Sequence, residues 1–180
     1  MLFRSDWDGP VWRDDAVEIF VDPGHTEKEY FQFIVNALGT GYDGKRLDPL
    51  WSGKWKCAAK KSRNSWSVEA AIPFESLGQK PKAPGEIWGI NICRERRADK
   101  SRGLMELLNW SNVMGNFHRP HMYGHLLFVD KEFDSKSSQW KPVADVLGPS
   151  RIFVADGYWD LDKDGKSRSE EHTSELQSQA

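Results

Sequence analysis

The chain has 180 residues and a net charge of −2, with 29% charged and 38% hydrophobic residues, a composition typical of one soluble globular domain with a sizeable core. No apolar stretch approaches the roughly 20 residues that span a bilayer, and no basic block is present, which argues against a membrane segment and a nucleic-acid partner. Nine Trp and nine Phe are many for this length and favour stacking on neutral ligands.

The first residues of the chain, 1–4, are typical of the end of a β-strand. A domain that opened inside a strand would leave an unpaired sheet edge. We therefore expect the first strands of the domain to be missing and the chain to be a fragment of a longer protein.

A polar, turn-rich loop at 9–15 carries Trp12, and the strand predicted directly behind it, 16–22, carries Glu18. A large aromatic ring on a loop offers a flat apolar platform to a sugar ring, and a nearby carboxylate accepts hydrogen bonds from sugar hydroxyls. This pairing is typical of a sugar-binding site. The alternative is that Trp12 folds back over the core, since Trp is usually largely buried.

Alternation of apolar and polar residues with a period of two predicts short strands along the chain. They cover 16–22, 31–36, 66–72, 90–93 and 124–129. Turns are predicted at 22–24, 40–44 and 84–85. The segment 73–78 alone looks helical, with Pro at its start and Gly at its end. Evenly spaced strands with almost no helix predict an all-β fold, an antiparallel β-sandwich or jelly roll.

The strand pattern fades after Asp130. We expect one domain over 1–130, then a linker and the start of a further region over 131–167. The last segment, 168–180, resembles the translation of a sequencing-library adapter and is treated as an artefact. The spacing of three aspartates resembles the first half of a calcium loop, so structural calcium and a solvated acidic turn both remain open; these are Asp160, Asp162 and Asp164.

The two cysteines, Cys57 and Cys93, lack the spacing of metal ligands. They would form one disulfide in an oxidising compartment or remain two buried thiols. The histidines at 118, 121 and 125 would share a face only in a helix, which Pro120 and Gly124 oppose. His118 is therefore expected to hydrogen-bond a sugar or to hold the turn before the last strand.

No motif for catalysis is present: the chain lacks a nucleophile elbow, a zinc-protease helix and a phosphate-binding loop. Glycoside hydrolysis needs two carboxyl groups on either side of the scissile bond. Glutamates of suitable type occur, but their spacing selects no pair; they are Glu18, Glu69, Glu86 and Glu106. We expect this chain itself not to be an enzyme.

Five segments in a fixed order carry a family resemblance. Trp12–Asp22 follows the pattern Trp-x-x-Asp-(Ser/Asp)-Val-Glu-(Ile/Val)-Phe-(Ile/Leu)-Asp. The other segments are 32–36, 66–73, 88–91 and 110–126. Together they resemble the carbohydrate-binding modules of family 9, among the DOMON-like β-sandwiches, from the first residue to about Asp130.

The resemblance implies a site. In that family, two Trp side chains sandwich a sugar at the reducing end of a glycan, and charged and amide groups bind its hydroxyls. The first Trp corresponds to Trp12, the ligand carboxylate to Glu18 and a ligand amide to Asn36. The second Trp falls near Phe117, and an Arg of the family is Ile34 here.

Losing that guanidinium removes a charge-assisted hydrogen bond, worth about 1.5–3 kcal/mol. Three side chains could supply the missing donor, namely Arg94, Arg97 and His118. Reducing-end capture of a disaccharide is therefore less expected than sugar binding as such.

The resemblance further implies a non-catalytic module that holds a parent polysaccharide-degrading enzyme of the glycoside hydrolase type on its glycan. Its partners would be an oligo- or polysaccharide and a parent catalytic domain in the same chain, in a secreted bacterial protein, extracellular or periplasmic. Two alternatives stay open. One is a haem-binding redox domain of the DOMON type, using axial ligands from His118, His121, Met114 and Met122. The other is part of a glycosidase with its own activity.

Overall fold

The computed structural model describes residues 6–80, 82–99, 103–129 and 152–155, with the backbone alone for 98–99 and 152–155. Within these ranges the chain forms nine strands and three short 3₁₀ turns. The strands are Ala16–Asp22 (β1), Phe31–Asn36 (β2), Gly41–Lys45 (β3), Lys56–Lys61 (β4), Trp66–Ala71 (β5), Ile87–Asp99 (β6), Leu104–Asn109 (β7), Gly124–Phe128 (β8) and Ile152–Ala155 (β9). The turns are Val11–Arg13, Phe74–Leu77 and Pro120–Met122. The predicted all-β fold is confirmed.

Seven strands form one sheet, in the order β3-β2-β1-β6-β8-β9, with β7 also paired to β6. Strands β4 and β5 form a separate two-stranded sheet. The pairings are antiparallel, apart from the parallel contact of β8 with β9. Strand β6 is central because its first half pairs with β8, its second half with β7, and its middle with β1 on the other edge.

The large sheet has two faces of different character, because successive side chains of a strand point to opposite sides. On β1, Ile19 and Val21 point to the covered face, which packs under β4, β5 and the segments around them. The core on this face is apolar and rich in aromatic rings: Val21, Phe31, Phe33, Val35, Trp55, Leu77, Trp88 and Phe128. The fold is a sandwich because the β4–β5 sheet and the segments around it form a second layer over this core.

The opposite side, which we call the open face, has two smaller apolar clusters. One lies under the chain segment 110–123 and contains Phe20, Tyr30, Cys93, Val113, Phe117 and Tyr123. The other contains Val11, Ala16, Ile34 and Tyr42. On β1, Glu18 lies between Ala16 of one cluster and Phe20 of the other. The gap between the clusters is therefore lined by polar side chains of the sheet.

Several elements differ from the sequence prediction. The predicted turn at 40–44 is strand β3, in which Gly41 is required because an added Cβ would lie 2.7 Å from the Trp7 ring. The predicted helix at 73–78 is a single 3₁₀ turn that ends at Gly78, with φ 66°. Strands β4, β7 and β9 were not predicted, and β9 lies inside the segment 131–167, which was expected to hold a linker and the start of a further region.

Both cysteines are free thiols, so the disulfide alternative is wrong. Cys57 packs against the core of the covered face, whereas Cys93 is buried on the open face. In the described part of the chain, no helix is long and apolar enough to cross a membrane. The predicted calcium ligands Asp160, Asp162 and Asp164 lie outside the described residues, as does the segment 168–180.

Candidate functional site

A pocket of about 310 Å³ opens on the open face, at the lower end of the range for small-molecule sites. Its lining comes from β1, β2, β3, β6 and β7 and from three loops: Trp12, Glu18, Gln32, Tyr42, Arg46, Leu47, Glu95, Leu107, Gly115, Asn116, Phe117 and His118. Four of the predicted site residues meet here, although they are far apart in sequence: Trp12, Glu18, Phe117 and His118.

Trp12 forms one wall of the pocket. It lies in the 3₁₀ turn Val11–Arg13, where Val11 is fully buried and anchors the loop. The Trp12 ring packs edge-on against Tyr42, with centroids 5.2 Å apart, and 40% of the residue stays exposed. The ring is thus supported from below and keeps a face for a ligand.

The loop that carries Trp12 is tied to two strands. Asn36 of β2 donates from Nδ2 to Asp14 Oδ2 over 2.9 Å. The backbone N–H of Arg97 in β6 donates to Asp15 Oδ1 over 2.9 Å, and its guanidinium Nε donates to the carbonyl of Arg13. These bonds fix the loop before any ligand arrives, which reduces the entropy lost on binding.

Two predicted ligands do not line the pocket. Asn36 is buried, and its Oδ1 accepts the backbone N–H groups of Leu38 and Thr40, each at 2.9 Å. Its amide therefore positions the Trp12 loop. Arg94 lies opposite Val17 across the β1–β6 pairing, so it belongs to the covered face. Arg97 hydrogen-bonds the loop that carries Trp12. Of the three proposed replacement donors, only His118 lines the pocket.

The floor of the pocket is a pair of carboxyl groups. Glu18, with 2% exposure, accepts a hydrogen bond of 2.7 Å from Gln32 Nε2. Glu95, with 9% exposure, lies two residue pairs along the β1–β6 ladder from Glu18, on the same face of the sheet, and is hydrogen-bonded to Glu18. Burial raises the pKa of both groups, and the adjacent Glu18 charge helps to raise the pKa of Glu95 to about 9. At neutral pH, Glu95 is therefore protonated and donates to Glu18.

Phe117 and His118 form another wall of the pocket. Phe117 is only 7% exposed and packs edge-on against Phe20, with centroids 6.3 Å apart, so its ring offers little free face. His118 Nδ1 is 2.9 Å from the hydroxyl of Tyr30. Burial lowers the pKa of His118, which favours the neutral ring. With Tyr30 as the donor, Nε2 carries the ring proton and can donate to a ligand.

Sequence reasoning missed four polar residues of the pocket, the most useful of which is Arg46. It follows β3 directly and lines the pocket, and its Nη1 lies 3.5 Å from Glu29 Oε1. Arg46 is thus a cation in the pocket lining, whereas Ile34 carries no charge. The others are Gln32, Glu95 and Asn116. Gln32 had a local signal, since it lies two residues before Ile34 and on the same face of a predicted strand.

The arrangement suits binding better than hydrolysis. Glycosidases hold their two carboxyl groups at least about 5 Å apart, whereas Glu18 and Glu95 are in direct hydrogen-bond contact. The other glutamates considered, Glu69, Glu86 and Glu106, are exposed and do not line the pocket. An aromatic face beside hydrogen-bond acceptors and donors matches a ligand that presents both C–H groups and hydroxyls.

The geometry gives no support to haem binding. Met114 and His121 are exposed, and His118 is already bonded to Tyr30. Among the residues that the structure describes, no group of three or more metal-ligating side chains occurs.

A model of the protein family described as "Carbohydrate family 9 binding domain-like" matches residues 4–131. Among curated proteins, no sequence matches the chain.

Solved structures with the same fold include a putative carbohydrate-binding protein from Bacteroides uniformis ATCC 8492. It is 21% identical with a TM-score of 0.56, over 71% of this chain and 66% of that one. A family 9 carbohydrate-binding module from Caldicellulosiruptor kristjanssonii, in complex with glucose, is 19% identical with a TM-score of 0.54, over 70% and 65% of the two chains. The module from that organism in complex with cellotriose is also 19% identical, with a TM-score of 0.55 over 76% and 68%. The chain spans about two thirds of the length of these structures.

Proposed function

This chain belongs to the carbohydrate family 9 binding domain-like family, and from that premise we propose that its pocket binds a short saccharide. Trp12 would stack on one face of a sugar ring, and Glu18, His118 and Arg46 would bind hydroxyls. The family membership confirms the resemblance read from the sequence motifs and makes the chain a binding domain.

One observation carries the assignment of the site. Trp12, Glu18 and His118 are up to 106 positions apart in sequence, yet they line one pocket of about 310 Å³. Stacking on the supported Trp12 ring supplies apolar contact, and the buried polar groups supply direction and specificity. The pocket size favours one end of a glycan or a short oligosaccharide over a long chain lying in a groove.

The site differs from a two-Trp sandwich. The position expected to stack from the other side is held by Phe117, whose ring is packed against Phe20. A sugar would therefore stack on Trp12 alone and meet polar groups on the other sides. The relatives in complex with glucose and cellotriose support glucose and its β-linked oligomers as the first ligands to try.

We further propose that the domain holds a parent polysaccharide-degrading enzyme, of the glycoside hydrolase type, on its glycan outside the cytoplasm. Extracellular or periplasmic location would bring the pocket to polymeric substrate. The lack of separated carboxyl groups in the pocket supports a purely binding role for this domain.

Calorimetric titration with glucose and cellotriose tests the site, using Trp12→Ala and the matched variant Trp7→Ala. Trp7 is also an exposed indole, but it packs against Trp55 with centroids 5.6 Å apart and does not line the pocket. We expect Trp12→Ala to weaken binding at least about tenfold, or 1.4 kcal/mol. Trp7→Ala should bind with the affinity of the unsubstituted chain, which we call the parent chain.

Equal affinities of Trp12→Ala and the parent chain would reject Trp12 as the platform. No binding of any saccharide by the parent chain would reject the proposed function itself.

A further inference from the structure

The chemistry of the pocket floor narrows the class of sugar, and this step rests on the proposed function. Both floor carboxyls are at least nine-tenths buried. The nearest amide, Gln32 Nε2, is already used by Glu18 Oε2. The floor is thus rich in acceptors and short of free donors.

Glu95 is the unsatisfied member of the pair. Its Oε2 is buried and has no hydrogen-bond partner among the residues that the structure describes. A buried carboxyl oxygen without a partner is costly. Because Glu95 lines the pocket, a donor brought by a ligand would remove that cost.

The charged and titratable groups around the floor offset the cost of burying the two carboxyls only in part. Arg46, which follows β3, is paired with Glu29, a residue that does not line the pocket. Arg97 lies two residues along β6 from Glu95, and its charge works to lower the pKa of Glu95. It also donates to the carbonyl of Arg13. Burial lowers the pKa of His118, which disfavours a positive charge on its ring. The remaining neighbours, Cys93 and Tyr42, carry no positive charge.

We propose that the pocket takes a saccharide with a free amine, such as a glucosamine unit, with its ammonium group against Glu18 and Glu95. An ammonium has three donors and no acceptor, which matches a floor of two carboxyls. Hydrogen bonds between charged groups are roughly twice as strong as neutral ones. N-acetylation removes the charge, and a uronic acid adds a carboxylate that the floor repels.

Binding of the ammonium is coupled to a proton. In the free pocket, Glu95 keeps its proton and donates to Glu18; burial raises its pKa to about 9. A neighbouring cation favours the ionised form of a carboxyl. The O–H bond of Glu95 then breaks, its proton passes to the buffer, and both carboxylates accept from the ammonium. We expect release of up to about one proton per amino sugar bound and none with glucose.

The test is calorimetric titration of the whole chain at about pH 6, where a sugar amine is protonated, since α-amino groups titrate near 7.7–8.0. The ligands are glucosamine, glucose, N-acetylglucosamine and glucuronate, each in two buffers of different ionisation enthalpy. We expect glucosamine to bind at least about tenfold tighter than glucose, and glucuronate to bind more weakly than glucose. The heat should depend on the buffer for glucosamine only.

Glu95→Gln should bring the glucosamine-to-glucose affinity ratio close to one and abolish proton release. Glu106→Gln is the matched control, because Glu106 is exposed on the neighbouring strand and paired with Arg96 at 2.9 Å; it should keep the ratio of the parent chain. Glucose binding as tight as glucosamine, in the parent chain, overturns the amine inference and leaves the proposed function standing. Failure of all the sugars to bind overturns both.

Discussion

The two faces of the large sheet are made by the same strands and do different work. On β1, Ile19 and Val21 enter the aromatic core of the covered face, while Glu18, between them in sequence, enters the pocket of the open face. Alternate residues of one strand therefore belong to the apolar core and to the proposed sugar site. A strand can change one property without changing the other, because the side chains of the two sets do not touch.

The faces also differ in energetic cost. Burial of apolar side chains on the covered face stabilises the fold by about 25 cal/mol per Å². On the open face, burial of Glu18 and Glu95 disfavours their charged forms and raises their pKa values. Perturbed carboxyls in a concave site are typical of functional positions. The covered face stabilises the sheet, and the open face carries buried carboxyls at the proposed site.

The largest effect on stability should come from the covered face. Phe33 is fully buried, and its ring lies 5.0 Å from that of Trp55. Phe33→Ala should lower the free energy of unfolding by about 3–5 kcal/mol, because it leaves a cavity. Urea denaturation measures the loss, and Leu50→Ala, at an exposed position, should stay within about 0.5 kcal/mol. Similar effects of the two substitutions would contradict the division of the faces.

A smaller effect on stability is expected from removing the Asn36 side chain, which holds the Trp12 loop. Asn36→Ala removes the donor to Asp14 and the acceptor for two backbone N–H groups, at a cost of about 1–3 kcal/mol. Saccharide affinity should also fall, since the Trp12 loop would lose its position. Denaturation and titration of the same sample measure both, with Asn64→Ala, in the exposed β4–β5 turn, as the control. Loss of stability with unchanged affinity would show that the loop does not need Asn36.

The pH dependence of stability should further distinguish the open face, which has a buried titratable group in Glu95, from the apolar covered face. Folded Glu95 keeps its proton up to about pH 9, whereas the unfolded chain releases it near pH 4.3. Unfolding therefore releases a proton between these values, and the stability contributed by this group falls as pH rises through this window. Glu95→Gln should flatten the curve of melting temperature between about pH 5 and pH 9. Parallel curves for the two proteins would mean that Glu95 is ionised in the fold.

Strands with regular alternation could be predicted from sequence, and the others could not. β1, β2 and β5 alternate clearly, and their bounds were predicted within one residue. β3 is rich in Gly and Asp and has the composition of a turn; it is a strand because Gly41 fits beneath two Trp rings. β7 has no period of two, since it is an edge strand with leucines exposed on both faces.

The site was predictable where one segment held the information. Trp12 and Glu18 belong to one loop and its strand, and both line the pocket. Glu95 needed the register of β1 with β6, which pairs it with Ala16 and which no local pattern specifies. Asn36 was expected to bind ligand and instead holds the loop, since its neighbour Asp14 comes into reach only in the folded chain.

The central claim is that the sugar stacks on the free face of the Trp12 ring. Nuclear magnetic resonance of the Trp indole N–H groups tests it most directly. The chain is labelled with ¹⁵N, and the signals of Trp12 and Trp7 are assigned by replacing each with Phe. On titration with glucose or glucosamine, we expect the Trp12 indole signal to shift in a saturable way while that of Trp7 stays in place. A saturable shift of Trp7 with Trp12 unmoved would contradict the account and place the sugar on the covered side of the sheet.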